Sequence, residues 1–455
     1  MNFFTVPASI IKSYINNGHL RSVNAKKNII ASFAIRGGSI AISIILLPIT
    51  LHYINATEYG IWLTLTSIIG WFSFFDIGFG NGLRNKFTEA VSKGQHELAR
   101  IYVSTTYAIL TIIISIVLVV FFFINPLIDW AQILNASDVM IRELRLLALI
   151  VFAFFCIQFV LQLLTTILTA NQQPAKASLF NFLGSLLSLL IIFFLTKTTK
   201  GNLIYLGAVF SFAPVFVLVV ASFWCFLGEY RKYIPSIRYV KFAFAKDLMS
   251  LGLKFFIIQI AFVIFYQTSN IIIAQLFGPE EVTSYNVAYK YFGIIPMLFG
   301  IVLAPFWSAF TEAWHKNDKA WMESTMKRFK LLCVLVLVLA ILMFIFSPIV
   351  YRIWVGKEVY VSLSVSAVMA AYVVINAWNG IHSNFLNGIG KVKLQLFISL
   401  IGSVINIPLA IFFGQNLGIY GVVLSTTIIS LISAIFLPIQ YHKIMHNKAR
   451  GIWAN

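Results

Sequence analysis

Apolar stretches of helix length follow one another along nearly the whole chain, separated by short polar loops. They run on without the period-two alternation of a half-buried strand, and many reach the roughly 20 residues that a helix needs to cross a bilayer core. The stretch from Leu331 to Val350 is interrupted only by Cys333 and Ser347. The pattern predicts about twelve spans, at 29–52, 60–80, 101–125, 146–170, 178–196, 203–227, 253–277, 289–310, 331–354, 365–387, 396–414 and 420–441. Backbone groups in hydrocarbon must be paired within the protein, so such spans are helices. The expected fold is an all-α polytopic membrane protein with two six-helix bundles around a central cavity.

The polar punctuation divides the chain. Residues 1–28 form a mildly basic arm without the apolar core and small-residue cleavage site of a signal peptide. A basic segment at 228–252, carrying Arg231, Lys232, Arg238, Lys241 and Lys246, separates an N-terminal bundle at 29–227 from a C-terminal bundle at 253–441. A tail follows at 442–455. The halves look related. A shift of 218 residues superposes Gln158 on Asn376, Thr165 on Ser383 and Gly184-Ser185 on Gly402-Ser403. A shift of 214 matches Asn202-Leu203 to Asn416-Leu417 and Gly207 to Gly421. Six spans per half start both halves on the same membrane side, so the repeat is parallel.

Composition agrees: 60% of residues are hydrophobic, 11% are charged, and the mean hydropathy is +0.90. The net charge of +18 is explained by its placement. With the N-terminus inside, the loops on the inner side hold 24 Lys and Arg and those on the outer side seven, Lys290 among the latter. This bias predicts that both termini are cytoplasmic, and makes nucleic acid a poor reading of the basic charge. Cys156, Cys225 and Cys333 all fall inside apolar runs, with neither a disulfide framework nor metal spacing.

Polar residues inside the spans are costly and fall in helical stripes. The first span offers Ser32, Arg36, Ser39 and Ser43; the second Thr66, Ser73 and Asp76; the fourth Gln158, Gln162, Thr165 and Thr169. The seventh offers Gln259, Gln267 and Asn270, and the tenth Tyr372, Asn376, Asn379 and Ser383. Singly these read as helix–helix glue. Spread over both halves they point to a shared polar cavity, with Arg36, Ser39, Asp76, Gln158, Gln259, Gln267, Asn270, Asn376 and Asn379 as candidate substrate contacts. Arg36 either snorkels or pairs with Asp76, or it holds an anionic group through its guanidinium fork. Asp76 is the one acid within a predicted span; partner of Arg36, proton or sodium site, and interfacial residue stand side by side. Lys254 is a second candidate cation for a headgroup, or an ordinary positive flank.

Enzyme signatures are missing. No Gly-rich phosphate loop precedes a Lys-Ser/Thr pair, no metal-spaced cluster appears, and the outer loop at 53–59 holds only Glu58. Two longer motifs do stand out. They are Phe75-Asp76-Ile77-Gly78-Phe79-Gly80-Asn81-Gly82-Leu83-Arg84-Asn85 and Ala304-Pro305-Phe306-Trp307-Ser308-Ala309-Phe310-Thr311-Glu312-Ala313. With the Glu58-Tyr59-Gly60 turn, its counterpart Gly278-Pro279-Glu280-Glu281, and Asn416-Leu417-Gly418-Ile419-Tyr420-Gly421, they make the chain resemble Wzx-type O-antigen flippases. These form part of the polysaccharide-exporter branch of the multidrug/oligosaccharidyl-lipid/polysaccharide superfamily, whose other members include MATE-like drug exporters. The resemblance implies a transporter that moves an undecaprenyl-diphosphate-linked oligosaccharide, an O-antigen or capsule repeat unit, between leaflets by alternating access. It implies no cofactor beyond a coupling H+ or Na+ ion. It implies lipid and the polysaccharide polymerase machinery as partners. Related lipid flippases place first-span cations in their cavity, and Arg36 matches these by position. A cation-coupled drug exporter of the same superfamily is the alternative, with Asp76 as its candidate acid.

Overall fold

Helices follow one another throughout the computed structural model, which describes residues 20–76, 78–171, 173–249, 267–303, 306–357 and 359–454. The N-terminal half is built from α1 (Leu20–Tyr53), α2 (Ala56–Gly70), α3 (Phe79–Ser92), α4 (His96–Ile124) and the short α5 (Trp130–Leu134). It continues with α6 (Ile141–Leu161), α7 (Leu163–Ala170), α8 (Pro174–Thr198) and α9 (Leu203–Leu227). The C-terminal half holds α10 (267–277), α11 (Pro279–Leu303), α12 (Phe306–His315) and α13 (Lys319–Trp354). It ends with α14 (Leu363–Gly388), α15 (Lys393–Leu417) and α16 (Ile419–Met445). The order of a membrane helix, a short helix and a long helix in α2–α3–α4 recurs in α11–α12–α13.

Among the described residues, eight helices are long and apolar enough to cross a membrane, and Gly37–Tyr53 adds a shorter apolar one. The other expected spans are the less uniform ones. The first span extends back into the expected polar arm, because α1 is already helical at Leu20. The second span is broken: α2 stops at Gly70, a 3-10 turn covers Trp71–Asp76, and Gly78 takes a left-handed φ of 82° before α3 begins. That conformation is cheap only for glycine, and it ends the regular helix. The expected loop 81–100 is therefore largely the helix α3. The fourth span is interrupted at Gln162, where α6 hands over to α7.

Apolar side chains sort by solvent. Leu65, Leu83, Phe152, Phe292 and Phe385 are buried between helices, while Phe123, Phe194, Phe223 and Leu335 project outward to form a lipid-facing belt. Six prolines lie inside membrane helices: Pro48, Pro214, Pro296, Pro348, Pro408 and Pro438. Each lacks an N–H and so frees the carbonyl four residues earlier. Three of those carbonyls are answered by side chains. Trp354 Nε1 donates to Ile44 at 2.8 Å, Ser347 Oγ to Phe344 at 2.8 Å, and Trp378 Nε1 to Ala434 at 3.1 Å.

The halves meet along a seam between α2 and α11, with α1 alongside. Hydrogen bonds cross it near the Ala56 and Pro279 helix ends. Thr283 Oγ1 donates to Ala56 O at 2.6 Å, Asn135 Nδ2 to Ala274 O at 3.0 Å, and Gln275 Nε2 to Gln132 O at 3.0 Å. Deeper in, Asn286 Nδ2 donates to Asn270 Oδ1 at 2.8 Å and Asn270 Nδ2 to Ser67 Oγ at 2.8 Å. Gly60 permits this closeness, because a Cβ there would fall on the carbonyl oxygen of Pro279. Gly60→Ala should therefore force the seam apart and cost about 1–3 kcal/mol, the usual overpacking range. Gly37→Ala, whose methyl would meet nothing within 4 Å, should be neutral or slightly stabilising. Thermal unfolding in detergent would check the pair; equal melting temperatures would show that Gly60 does not control the seam.

Candidate functional site

A cavity of about 690 Å³ lies where α1, α11 and α14 converge. From α1 it receives Ile40, Ser43 and Ile44; from α11 Asn286, Tyr289, Lys290, Gly293 and Met297; from α14 Met369, Tyr372 and Asn376. The spacing explains the convergence. Asn286, Lys290 and Gly293 recur at four and three residues, as do Met369, Tyr372 and Asn376, so each set lies on one helix face. Asn376 Nδ2 donates to Tyr372 O at 3.0 Å, which leaves its carbonyl oxygen directed elsewhere.

Lys290 is the cation of this cavity. It stands eleven residues beyond Pro279 on α11, roughly 16 Å along the helix axis. Its Nζ donates to Tyr59 Oη across the seam at 2.9 Å and lies 5.6 Å from that ring's centroid. No carboxylate lines the cavity among the described residues. An ammonium against a cavity without a carboxylate suits an anionic partner. Sequence reasoning assigned Lys290 to an outer loop, because the apolar run was taken to begin at residue 289. The missed signal is the polar face itself, Asn286-x3-Lys290, which continues the helix back to Pro279.

A second cavity of about 400 Å³ lies inside the N-terminal half. The break after α2 contributes Ser73 and Asp76, α3 contributes Asn81 and Arg84, and the α6–α7 junction contributes Phe155, Gln158, Phe159, Gln162, Thr165 and Thr169. Asp76 Oδ1 accepts the Gly80 N–H at 2.9 Å. The carboxylate thus caps the first turn of α3, where unpaired N–H groups and the helix dipole favour negative charge.

The candidate residues from sequence are distributed as follows. Asn376 lines the cavity between the halves, together with Ser43. Asp76 and Gln158 line the N-half cavity. Asn270 is buried in the seam bonded to Ser67, and Gln267 sits close to Gly70 across the same seam. Asn379 Nδ2 donates to Ser430 O at 2.9 Å, joining α14 to α16. Ser39 Oγ donates to Ile35 O within α1 at 2.9 Å. Lys254 and Gln259 lie outside the described residues, and of Arg36 only the helical backbone is described. The stripes thus feed two cavities and a bonded seam.

The capping geometry separates the readings of Asp76. Asp76→Asn retains an acceptor oxygen and should keep the fold and activity near normal. Asp76→Ala should lose about 0.5–2 kcal/mol of stability, as for other helix caps. Loss of activity in Asp76→Asn at unchanged melting temperature would instead mark a titrating or ion-binding carboxylate.

Comparison with known proteins places the chain. A family model described as polysaccharide biosynthesis protein matches residues 25–306, and the MatE model matches 255–412. A Yersinia pseudotuberculosis protein named for O-antigen export is 23% identical over 368 residues, covering 80% of this chain and 82% of its own. A Salmonella typhi protein named for O-antigen transport is 24% identical over 406 residues, covering 86% and 90%. The inward-facing structure of a multidrug resistance MATE family transporter superposes with a TM-score of 0.74 at 15% identity, over 92% of this chain and 98% of that one. That likeness concerns the fold: an all-α, multi-pass membrane transporter architecture of paired bundles. The chain belongs to the polysaccharide biosynthesis protein family, and it is a membrane transporter and not an enzyme.

Proposed function

We infer that the protein moves an undecaprenyl-diphosphate-linked oligosaccharide, an O-antigen or capsule repeat unit, from the inner to the outer leaflet of the bacterial inner membrane. The observation that carries this reading is Lys290, a cation between α1, α11 and α14 in a cavity that no described carboxylate lines. A diphosphate cannot cross hydrocarbon unpaired, because burying an isolated charge costs many kcal/mol. An ammonium with amide and tyrosine neighbours offers charge-assisted hydrogen bonds to its oxygens. Met297, Met369 and Ile44 give the same cavity apolar walls for the first part of a prenyl chain. Arg36, on the helix that forms one wall, is proposed as a second phosphate contact. The relatives named for O-antigen transport support a polysaccharide cargo.

The mechanism follows from the seam. With the basic loops inside, the Ala56 and Pro279 ends face the periplasm, and the hydrogen bonds across them close that side. This is the loading state of an alternating-access cycle. Release requires the halves to rock apart along α2 and α11, whose contacts are polar and small-residue and so exchangeable. Lys290 takes part in both tasks: a diphosphate that draws its ammonium from Tyr59 removes one of the bonds that hold the seam.

The family fold also serves multidrug exporters. Such a protein would need an acid for cationic drugs, and Asp76 is engaged as a helix cap. Vesicles containing the purified protein and a labelled lipid-linked oligosaccharide would decide between these readings. Lys290→Met should lower translocation at least about tenfold, the equivalent of one charged hydrogen bond, with protein yield unchanged. Arg36→Ala should do the same, and Arg36→Lys should retain part of the activity. Efflux of a cationic dye without lipid translocation would overturn the flippase reading, and full transport by Lys290→Met would remove the anchor. In intact cells, single cysteines introduced by Gln95→Cys and Asn317→Cys should resist membrane-impermeant thiol reagents; ready labelling of either would reverse the topology.

A further inference from the structure

The cavity inside the N-terminal half is chemically unlike the one that holds Lys290. Its walls are amides and hydroxyls, with Asn81, Gln158 and Gln162 beside Ser73, Thr165 and Thr169. Two phenylalanine rings, Phe155 and Phe159, complete it. Thr165 Oγ1 donates to Gln162 O at 2.7 Å and Thr169 Oγ1 to Thr165 O at 2.7 Å. Each hydroxyl proton is spent on its own helix, so each oxygen is left as an acceptor. The side chains of Asn81, Arg84, Gln158 and Gln162 make no hydrogen bond or ion pair with any other described residue. Asn81 and Gln158 are half-buried and Arg84 and Gln162 exposed, so four side chains with open bonding capacity face one cavity that a ligand could complete.

The set selects a class of ligand. Side-chain amides both donate and accept, which matches the hydroxyl and N-acyl groups of sugars. Aromatic faces suit the C–H faces of a pyranose ring. A prenyl chain would leave all the amides unpaired, and Asp76 and Arg84 give the cavity one charge of each sign, which suits a neutral polar ligand better than a diphosphate. The volume of about 400 Å³ lies in the range of small-ligand sites. Gln158, Gln162, Thr165 and Thr169 recur at four, three and four residues, so they lie on one helix face toward the cavity.

We propose that this N-half cavity is a saccharide subsite, in which Gln158, Gln162 and Asn81 hydrogen-bond a sugar of the lipid-linked glycan while Phe155 and Phe159 cover its apolar face. The proposal rests on the lipid-linked-glycan reading, and divides that substrate between two places: diphosphate at Lys290, sugar in the N-terminal half. Substrate choice between glycans then belongs to α3, α6 and α7, and carrier recognition to α1, α11 and α14.

Binding in nanodiscs to two probes tests it: bare undecaprenyl diphosphate, and the same lipid bearing the glycan extracted from cells that use the protein. The wild type should bind the glycosylated lipid at least about tenfold more tightly, the equivalent of one or two hydrogen bonds. The double variant Gln158→Met/Gln162→Met should bind both probes alike, with affinity for the bare lipid unchanged. Thr165→Val/Thr169→Val gives a second variant should the first not fold, and the same outcome is expected. Lys290→Met should weaken both probes equally. Equal wild-type affinity for the two probes, or variants that weaken both alike, would overturn the saccharide subsite and leave the flippase reading standing. Failure of the wild type to bind either probe would defeat both.

Discussion

A carbonyl or amide group in hydrocarbon finds no water, and leaving it unpaired costs several kcal/mol. Much of this structure answers that constraint. The helices pair their own backbones, and several interruptions are repaired by side chains. Pro48, Pro348 and Pro438 free carbonyls that Trp354, Ser347 and Trp378 then occupy. The break after α2 leaves N–H groups at the start of α3, and Asp76 takes one of them. Even the seam follows the rule, since the amides of Asn270 and Asn286 close on each other and on Ser67. Polar residues in this membrane protein are therefore of two kinds. Some complete a neighbour, and others line a cavity with their bonding capacity unused.

That division decides how far the chain could be read in advance. Most of the spans were legible because lipid demands long apolar runs. The kind of each polar residue was not. Asn379 and Asn376 share a stripe, yet one bonds Ser430 on α16 and the other lines a cavity. Helical periodicity gives the face but not what stands opposite it. Asp76 read from the sequence as a partner of Arg36, an ion site or an interfacial residue, and its bond to the Gly80 N–H depends on the left-handed turn at Gly78, a backbone property. Lys290 was hidden by its context. Charged turns at Glu280 and Glu281 look like loop when hydropathy alone sets the boundary, whereas the helix is held there by protein on the other half.

The two cavities also bear on how one architecture serves different cargoes. The scaffold that α2 and α11 form is set by small residues and backbone approach, as at Gly60, and has little to do with what is carried. Much of the cavity wall, Gln158, Gln162 and Asn81 for example, is made of side chains without a bond to a neighbouring described residue. Substitution there changes recognition with little penalty to folding, as is common for sites built on rigid elements.

The indole of Trp354 belongs to α13, while the carbonyl it satisfies belongs to Ile44 on α1, in the other half. If the halves separate, that acceptor must find another donor or leave its helix bent around an empty bond. The proline in α1 thereby ties the shape of one helix to the position of the opposite bundle. Curvature of α1 becomes a mechanical readout of which leaflet the transporter faces. The groups of α1 that border the cavity, Ile40 and Ser43, would then be re-aimed as the bundles part, so the site would change its grip on a cargo at the moment of release.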